Sequence, residues 1–511
     1  MFIYELYLIF TKFLAFPIDV STEIFFEEQP FPVVTVCNAN PYKLSVIQSD
    51  SKLGKIKTLL QSYKAAVAKT LPSSDPGNYG LYEKMVLPYQ LDQRARDALA
   101  LEVAQLDQNI LRPALYTFEE LITKCTFSGR TCSRADFTEI VDPIYGACYS
   151  FNENSSLSYS TNRAGMKFGL KLLITVSQET TGLITDFLPT TGVAGARIAI
   201  HPRGSNPSMD NLGINVGVGY QTAIALTSTK YKRMKRPYGR CVDKESDATN
   251  FYTRIFQSSF QDKTYSLDTC FFGCRQRDTV AKCGCANPRY RKTSSLTYCE
   301  PTKTNLDCLQ NLRGDQASTT SPNICPLTEC SCDPPCSEIT YSTTASIAKF
   351  PAANYYVATD NVRGVGGSCD DLNKNFAGDV QNCRLWYENN GLLLQVFFET
   401  LKYESYTEGA SYGISGALND LGGHAGLWLG LSVISIVEVC GLIALLVMYC
   451  VTCGGIKIRP DEGDIAADHR IQDIEEVKKE LDIADKHDKD LELSEDEDLK
   501  SPRKDEDAKQ K

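Results

Sequence analysis

The stretch GLWLGLSVISIVEVCGLIALLVMYCV, Gly426 to Val451, holds one charged residue, Glu438, six positions beyond the serine of Gly430-Leu431-Ser432. A carboxylate alone in an apolar run can attract cations, and it is expensive in lipid unless it faces a water-filled path or a partner helix. Glu438 therefore reads as lining or supporting a pore, with Ser435 about one turn before it. The plainer reading pairs Glu438 with a neighbouring subunit purely for assembly. On a continuous helix Ser432 and Glu438 would lie about 120° apart, too far to line one narrow face. A break near Gly430 removes that conflict. Unwound backbone is tolerated at membrane depth only where it is buried in protein or lines a cavity, and there its carbonyls can replace ion hydration.

The element that must position these groups is a helix. At about 1.5 Å per residue, 26 residues more than span a hydrocarbon core of roughly 30 Å, so this stretch is expected to cross a membrane. Buried helices of soluble cores rarely run so long without charge. Gly422, Gly426 and Gly430 recur every fourth residue, a spacing that lets transmembrane helices approach closely. One helix cannot enclose a channel, so the glycine row points to self-association without giving the number of subunits.

The chain of 511 residues has room for several subdomains around this helix. Its net charge is −10, and residues 454–511 supply −8 of it, with 20 Asp plus Glu against 12 Lys plus Arg. The remainder is nearly neutral and offers no broad basic surface, which argues against a nucleic-acid partner. Of 20 cysteines, 17 lie between Cys37 and Cys383, and only Cys440, Cys450 and Cys453 lie in or beside the apolar stretch. That distribution reads as oxidised extracellular protein followed by reduced cytosol. Lys457 and Arg459 agree with a cytoplasmic C-terminus.

The opening segment, MFIYELYLIFTKFLAF, is apolar but carries Glu5 and Lys12. It reads as the outer end of a first transmembrane helix. The rival, a signal peptide, lacks a basic start and a small-residue cleavage site. Phe31 to Asn38, FPVVTVCN, reads as a strand. Helices are expected over residues 52–70 and 90–124, and strands over Lys167–Ser177, Ala196–His201 and Gly219–Lys230. Gly391 to Ser411 reads as a long strand that turns polar as it nears Asn419-Asp420-Leu421-Gly422-Gly423. The tail has helical spacing around Ile471–Ile483, then becomes a charge run expected to be solvated. Asn154-Ser155-Ser156 is a glycosylation triplet. Eleven cysteines between Cys241 and Cys336 favour disulfides over zinc, because C-x2-C pairs and histidines are missing there. Spacing does not choose among the pairings.

Together FPVVTVCN, RPYGRC at 236–241, the cysteine ladder to Cys336, and DLGGHAGLWLGLSVISIVE at 420–438 resemble the degenerin and epithelial sodium channel family, which includes acid-sensing channels. The last motif is highly specific, and the character is that of a nematode degenerin. The resemblance implies an α+β disulfide-rich extracellular domain, a β-sheet palm and β-ball with helical finger, thumb and knuckle, between two transmembrane helices, the first truncated. It divides the chain into a helix remnant at 1–16, an extracellular domain at 17–421, a pore helix at 422–453 and a cytoplasmic tail at 454–511. It further implies an amiloride-sensitive, sodium-selective trimer in the plasma membrane, homomeric or heteromeric, with a small-molecule or peptide ligand as an option and no cofactor.

Residue by residue, the family's G-x-S filter falls on Gly430, Leu431 and Ser432, and its acidic residue below falls on Glu438. Its gating region falls on Asn419, Asp420, Gly422 and Gly423. Asn419 is larger than the small residue expected there, which bears on how often the channel rests open. The aromatic pair that couples thumb to first helix appears as Phe16 and Tyr238. The implied disulfides are Cys37–Cys148, Cys125–Cys132, Cys241–Cys336, Cys270–Cys332, Cys274–Cys330, Cys283–Cys308 and Cys285–Cys299. Cys369–Cys383 would make an eighth and leave Cys325 odd. The family's cytoplasmic His-Gly gating segment has no counterpart here, so a truncated subunit that does not conduct alone is an alternative. A disulfide-stapled receptor or adhesion protein is a second, although it leaves Glu438 and the glycine row unexplained. A hydrolase finds no support, because His201 has no accompanying catalytic motif.

Overall fold

The computed structural model of the chain describes residues 2–70, 79–81, 88–154, 156–180, 183–184, 186–205, 209–243, 265–290, 292, 295–313, 330, 332–359, 367–370, 372–430, 432–451 and 474–482. It separates into two compact units: Phe16–Tyr412, and Met1–Ala15 with Gly413–Lys511. The strands used below are β1 (Ile18–Phe26), β2 (Val33–Asn38), β3 (Ile122–Phe127), β4 (Arg130–Thr131), β5 (Phe137–Asp142), β6 (Gly146–Phe151), β7 (Leu170–Thr175), β8 (Gly195–His201), β9 (Ile214–Gly217), β10 (Tyr220–Lys232), β11 (Ser337–Lys349) and β12 (Gly391–Ala410). The helices are α1 (Phe2–Leu14), α2 (Gly54–Val67), α3 (Pro88–Ala104), α4 (Leu267–Cys283), α5 (Lys303–Arg313), α6 (Val380–Asn390), α7 (Ile414–Leu429) and α8 (Val433–Val451).

The larger unit is built on two sheets. One runs β11-β10-β12-β7-β3-β4, and the other runs β9-β8-β2-β6-β5. In the first, β10 and β12 are parallel and the other pairings are antiparallel. The near half of β12, Gly391–Val396, also pairs with β7, whereas its far half, Lys402–Ala410, pairs with β1. Apolar residues on both faces bury the near half, and the far half turns polar and alternates. Between the halves the β10 register shifts, from Leu226 opposite Phe398 to Ser228 opposite Tyr403.

The core fills the space between the sheets with Val34, Val36, Phe151, Ile174, Ile198, Leu394 and Val396, all fully buried or nearly so. Phe31 sits edge-on to Phe127, Phe151 and Phe398, with centroids 4.9, 6.2 and 6.1 Å away. Burial of each such ring stabilises by about 1.5–3 kcal/mol. Gly146 enters β6 at φ +69°, where an added Cβ would stand 2.2 Å from the Pro41 carbonyl oxygen. The fold therefore needs glycine at that position.

The helical expectation for 90–124 is corrected in part. Helix α3 stops at Ala104, Asp107 caps a one-turn helix at Gln108–Leu111, and Pro113 lies in a tight turn. A capping box at Thr117 and Glu120 opens another single turn, and Ile122–Phe127 is strand β3. ITKCTF is rich in β-branched and aromatic residues, and pairing with β7 buries Ile122, Cys125 and Phe127. The strand expected from Lys167 begins at Leu170, after a turn of 3₁₀ helix.

All seven implied disulfides are formed, and Cys369–Cys383 is the eighth. Cys270 and Cys274, one turn apart on α4, reach Cys332 and Cys330, and Cys283 ties the end of α4 to Cys308 on α5. Cys325 lies outside the described residues.

In the smaller unit α1 packs along α7. The expected single span from Gly426 to Val451 is divided between α7 and α8. Among the described residues no helix is long and apolar enough to cross a membrane. Residues 474–482 form a short helix within the spacing expected around Ile471–Ile483.

Candidate functional site

The division of α7 from α8 falls on the triplet singled out by its chemistry. Helix α7 ends as Gly430 takes φ 66°, and the Gly430 N–H donates back to the Gly426 carbonyl at 3.1 Å. An αL residue closing a helix is a standard stop, and glycine adopts it without a Cβ penalty. Two residues on, Ser432 Oγ accepts from the Ser435 N–H at 3.1 Å and lies 3.1 Å from Ser435 Oγ. A serine oxygen on the third amide of a helix is an N-cap. Glycine stops one helix and serine starts the next, leaving one residue, Leu431, between them. Leu431 itself lies outside the described residues.

This geometry dissolves the angular conflict noted in the sequence. Ser432 precedes α8 and does not take a place on its wheel. Ser435 and Glu438, three residues apart, share one face about 60° wide. Glu438 is exposed and Ser435 half-buried. Around them Ile434, Val437, Val439, Leu442, Ile443 and Leu446 are also exposed, so α8 presents apolar side chains on every side.

The other expected gating residues lie on α7. Asn419, Gly422 and Gly423 are exposed and Asp420 is half-buried, and nothing stands within 4 Å of a Cβ added at Gly422 or Gly423. One partnership here had no signal in the sequence. His424 Nε2 lies 4.0 Å from Glu5 Oε2, linking α7 to α1 across more than four hundred positions of chain.

Phe16 and Tyr238 meet as expected, edge to face at 5.2 Å, and the Tyr238 hydroxyl donates to the Tyr412 carbonyl at 3.2 Å. At the other end of the β1–β12 pairing, residues of β1, β10 and β12, with Glu27 just past β1, form a cluster that sequence reading missed. The Tyr403 hydroxyl donates to Glu27 at 2.6 Å, Lys230 lies 3.5 Å from Glu27 and 3.6 Å above the Tyr403 ring, and Phe25 stacks on that ring at 5.1 Å. The Tyr403 hydrogen bond, helped by Lys230, holds the Glu27 carboxyl below its usual range, and the same bond pushes Tyr403 up to about 12. The Asn154 side chain accepts from the Ser156 N–H at 3.0 Å, and its carbonyl accepts from the Leu157 N–H at 3.2 Å.

Elsewhere in the larger unit a cavity of about 480 Å³ is lined by Asp142, Tyr145, Asp210, Arg289, Tyr290 and Lys292, among others. Arg289 joins Asp210 at 2.8 Å to Asp97 at 3.1 Å. Burial pushes the Asp142 carboxyl up against two backbone N–H bonds from Tyr145 and Ile144, and the neighbouring Asp210 charge pushes the same way.

An α+β domain held by eight disulfides and flanked in sequence by apolar helices, one of them broken at Gly-x-Ser, defines a class that comparison identifies directly. Residues 1–442 match the family model described as amiloride-sensitive sodium channel, and the chain belongs to that family. It is 52% identical to the degenerin-like protein asic-2 of Caenorhabditis elegans, over 95% of this chain and 87% of the relative. It is 30% identical to degenerin unc-8 of the same species, over 68% of this chain and 41% of that protein. Degenerin mec-4 of Caenorhabditis briggsae is 31% identical over 63% of this chain and 38% of its own length.

Proposed function

We propose that this chain is a subunit of a gated, sodium-selective, amiloride-sensitive cation channel of the plasma membrane, working as a homo- or heterotrimer with family subunits. The observation that carries the reading is the stop at Gly430 and restart at Ser432, set in an apolar helix whose one carboxylate is Glu438. Carbonyls released at the break form the constriction that sodium passes, and Glu438 raises the local cation concentration or ties subunits together. The apolar surface on every side of α8 is covered by lipid and by neighbouring copies. Cysteines paired in the larger unit and free at Cys440 and Cys450 support an extracellular domain and a cytoplasmic tail. Asn419, Asp420, Gly422 and Gly423 form the gate, and the Phe16–Tyr238 contact belongs to its linkage.

The test is sodium current recorded from cells expressing the full transcript, with and without amiloride, acid, peptide and pressure. Glu438→Ala and Ser432→Cys should change ion preference or current amplitude. Unchanged selectivity and current in both variants would sink the pore assignment.

A further inference from the structure

A second cavity of about 270 Å³ lies in the larger unit, beyond the segment Pro143-Ile144-Tyr145 that also walls the cavity holding Asp142 and Asp210. Its neighbour sets Asp142 and Asp210 beside Arg289 and Lys292. Two guanidinium side chains, Arg96 from α3 and Arg197 from β8, line the second cavity together with Thr190, Thr191 and Asn215, and no carboxylate is among its lining residues. Leu99 and Val193 supply apolar wall.

Arg197 is seated before any ligand arrives. Its Nε donates to the Met209 carbonyl at 2.9 Å, and its terminal nitrogens donate to Asn215 Oδ1 at 2.9 Å and the Asp210 carbonyl at 3.1 Å. Three of its five N–H groups are used, and none on a carboxylate. Gly213 makes this seat possible, since a Cβ there would lie 2.1 Å from Arg197 Nε. Arg96 is exposed and forms no ion pair among the described residues. Thr190 is only 5% exposed, and among the described residues its hydroxyl has no hydrogen-bond partner. A half-buried arginine with spare donors, a second arginine and an unengaged hydroxyl converge on one space.

We infer that this cavity binds a small organic anion, a carboxylate with an apolar body, between Arg96 and Arg197. The guanidinium fork matches a carboxylate's two oxygens, Thr190 adds a donor, and Leu99 and Val193 face the apolar part. The volume suits a ligand of fragment size. Phosphate or chloride alone would leave the apolar wall unused.

Calorimetric titration of benzoate, acetate and benzamide into the purified full-length chain tests the assignment. Benzoate is expected to bind one per chain, with benzamide and acetate each weaker by about tenfold or more, because one lacks the charge and the other the ring. Arg96→Gln, a change at an exposed side chain, should weaken benzoate by about tenfold. Thr190→Val should weaken it severalfold and leave the unfolding temperature unchanged. Absence of benzoate binding overturns the inference, as does benzamide or acetate binding equally well, or Arg96→Gln with unaltered affinity.

Discussion

Replacing Gly430 with alanine isolates the role of the helix break. At φ 66° the backbone is left-handed, and nothing lies within 4 Å of an added Cβ. The penalty for alanine is therefore conformational, about 1–2 kcal/mol, with no packing contribution within the chain. That is a factor of about 5–30 in the equilibrium between broken and continuous helix. In the proposed trimer the strain counts three times, about 3–6 kcal/mol. Asparagine visits the left-handed region more readily than alanine, so Gly430→Asn should be milder despite its larger side chain. Gly441 provides the control, since it lies inside α8 with equally open surroundings and no left-handed backbone. Gly441→Ala should be neutral, or stabilise α8 by up to about 1 kcal/mol through helix propensity. The assay is voltage-clamp current normalised to surface-labelled protein. Most current should be lost in Gly430→Ala, less in Gly430→Asn and none in Gly441→Ala. Damage that follows side-chain size, or equal damage from Gly441→Ala, refutes the conformational argument.

Three further outcomes follow from the larger unit. The depressed Glu27 carboxyl contributes stability that is present above its unfolded pKa and lost as pH falls through the lower folded value. Thermal unfolding of wild type and Glu27→Gln should accordingly differ at neutral pH and converge in acid. Asp142 has the opposite sign, because its raised carboxyl contributes stability that is complete below the unfolded pKa and lost as pH rises through the folded one. Asp142→Asn keeps the acceptor for Ile144 and Tyr145 and drops the charge, so it should unfold at a higher temperature than wild type at neutral pH. For the disulfides, separations of 111 for Cys37–Cys148 and 14 for Cys369–Cys383 give losses of about 4.8 and 3 kcal/mol on the chain-entropy model. Denaturant titration of the paired Cys→Ala variants should rank them in that order.

What could be read from the sequence was whatever local pattern decides. FPVVTVCN became the central buried strand β2, and the long apolar run from Gly391 became β12, because the side chains themselves dictate burial on both faces. The break at Gly430 was legible because glycine and serine are the residues that stop and start helices. Residues 90–124 misled because an Ala- and Leu-rich helix runs into short capped turns with no proline or glycine cluster to separate them, and the strand at Ile122 takes its identity from β7. The Glu27, Lys230 and Tyr403 cluster and the His424–Glu5 contact were illegible, since each joins segments hundreds of positions apart. The anion cavity was hidden for the same reason. Nothing near Arg96 in sequence announces Arg197, and the glycine that seats Arg197 is informative only once Met209 and Asn215 surround it.

The pairing of β1 with β12 also sets a schedule for biosynthesis. Ile18 finds its partner at Ala410 and Phe26 at Lys402, and every residue of β1 is exposed even in the finished fold. At about 5–20 residues per second, the ribosome delivers the partner strand roughly 20–80 s after β1 has been made. Through that interval a strand carrying Ile18, Val20, Ile24, Phe25 and Phe26 waits as an unpaired edge, the kind of surface that recruits wrong partners. Chaperone cover during synthesis should matter most at this strand, and a chain cut short before residue 402 leaves it open permanently.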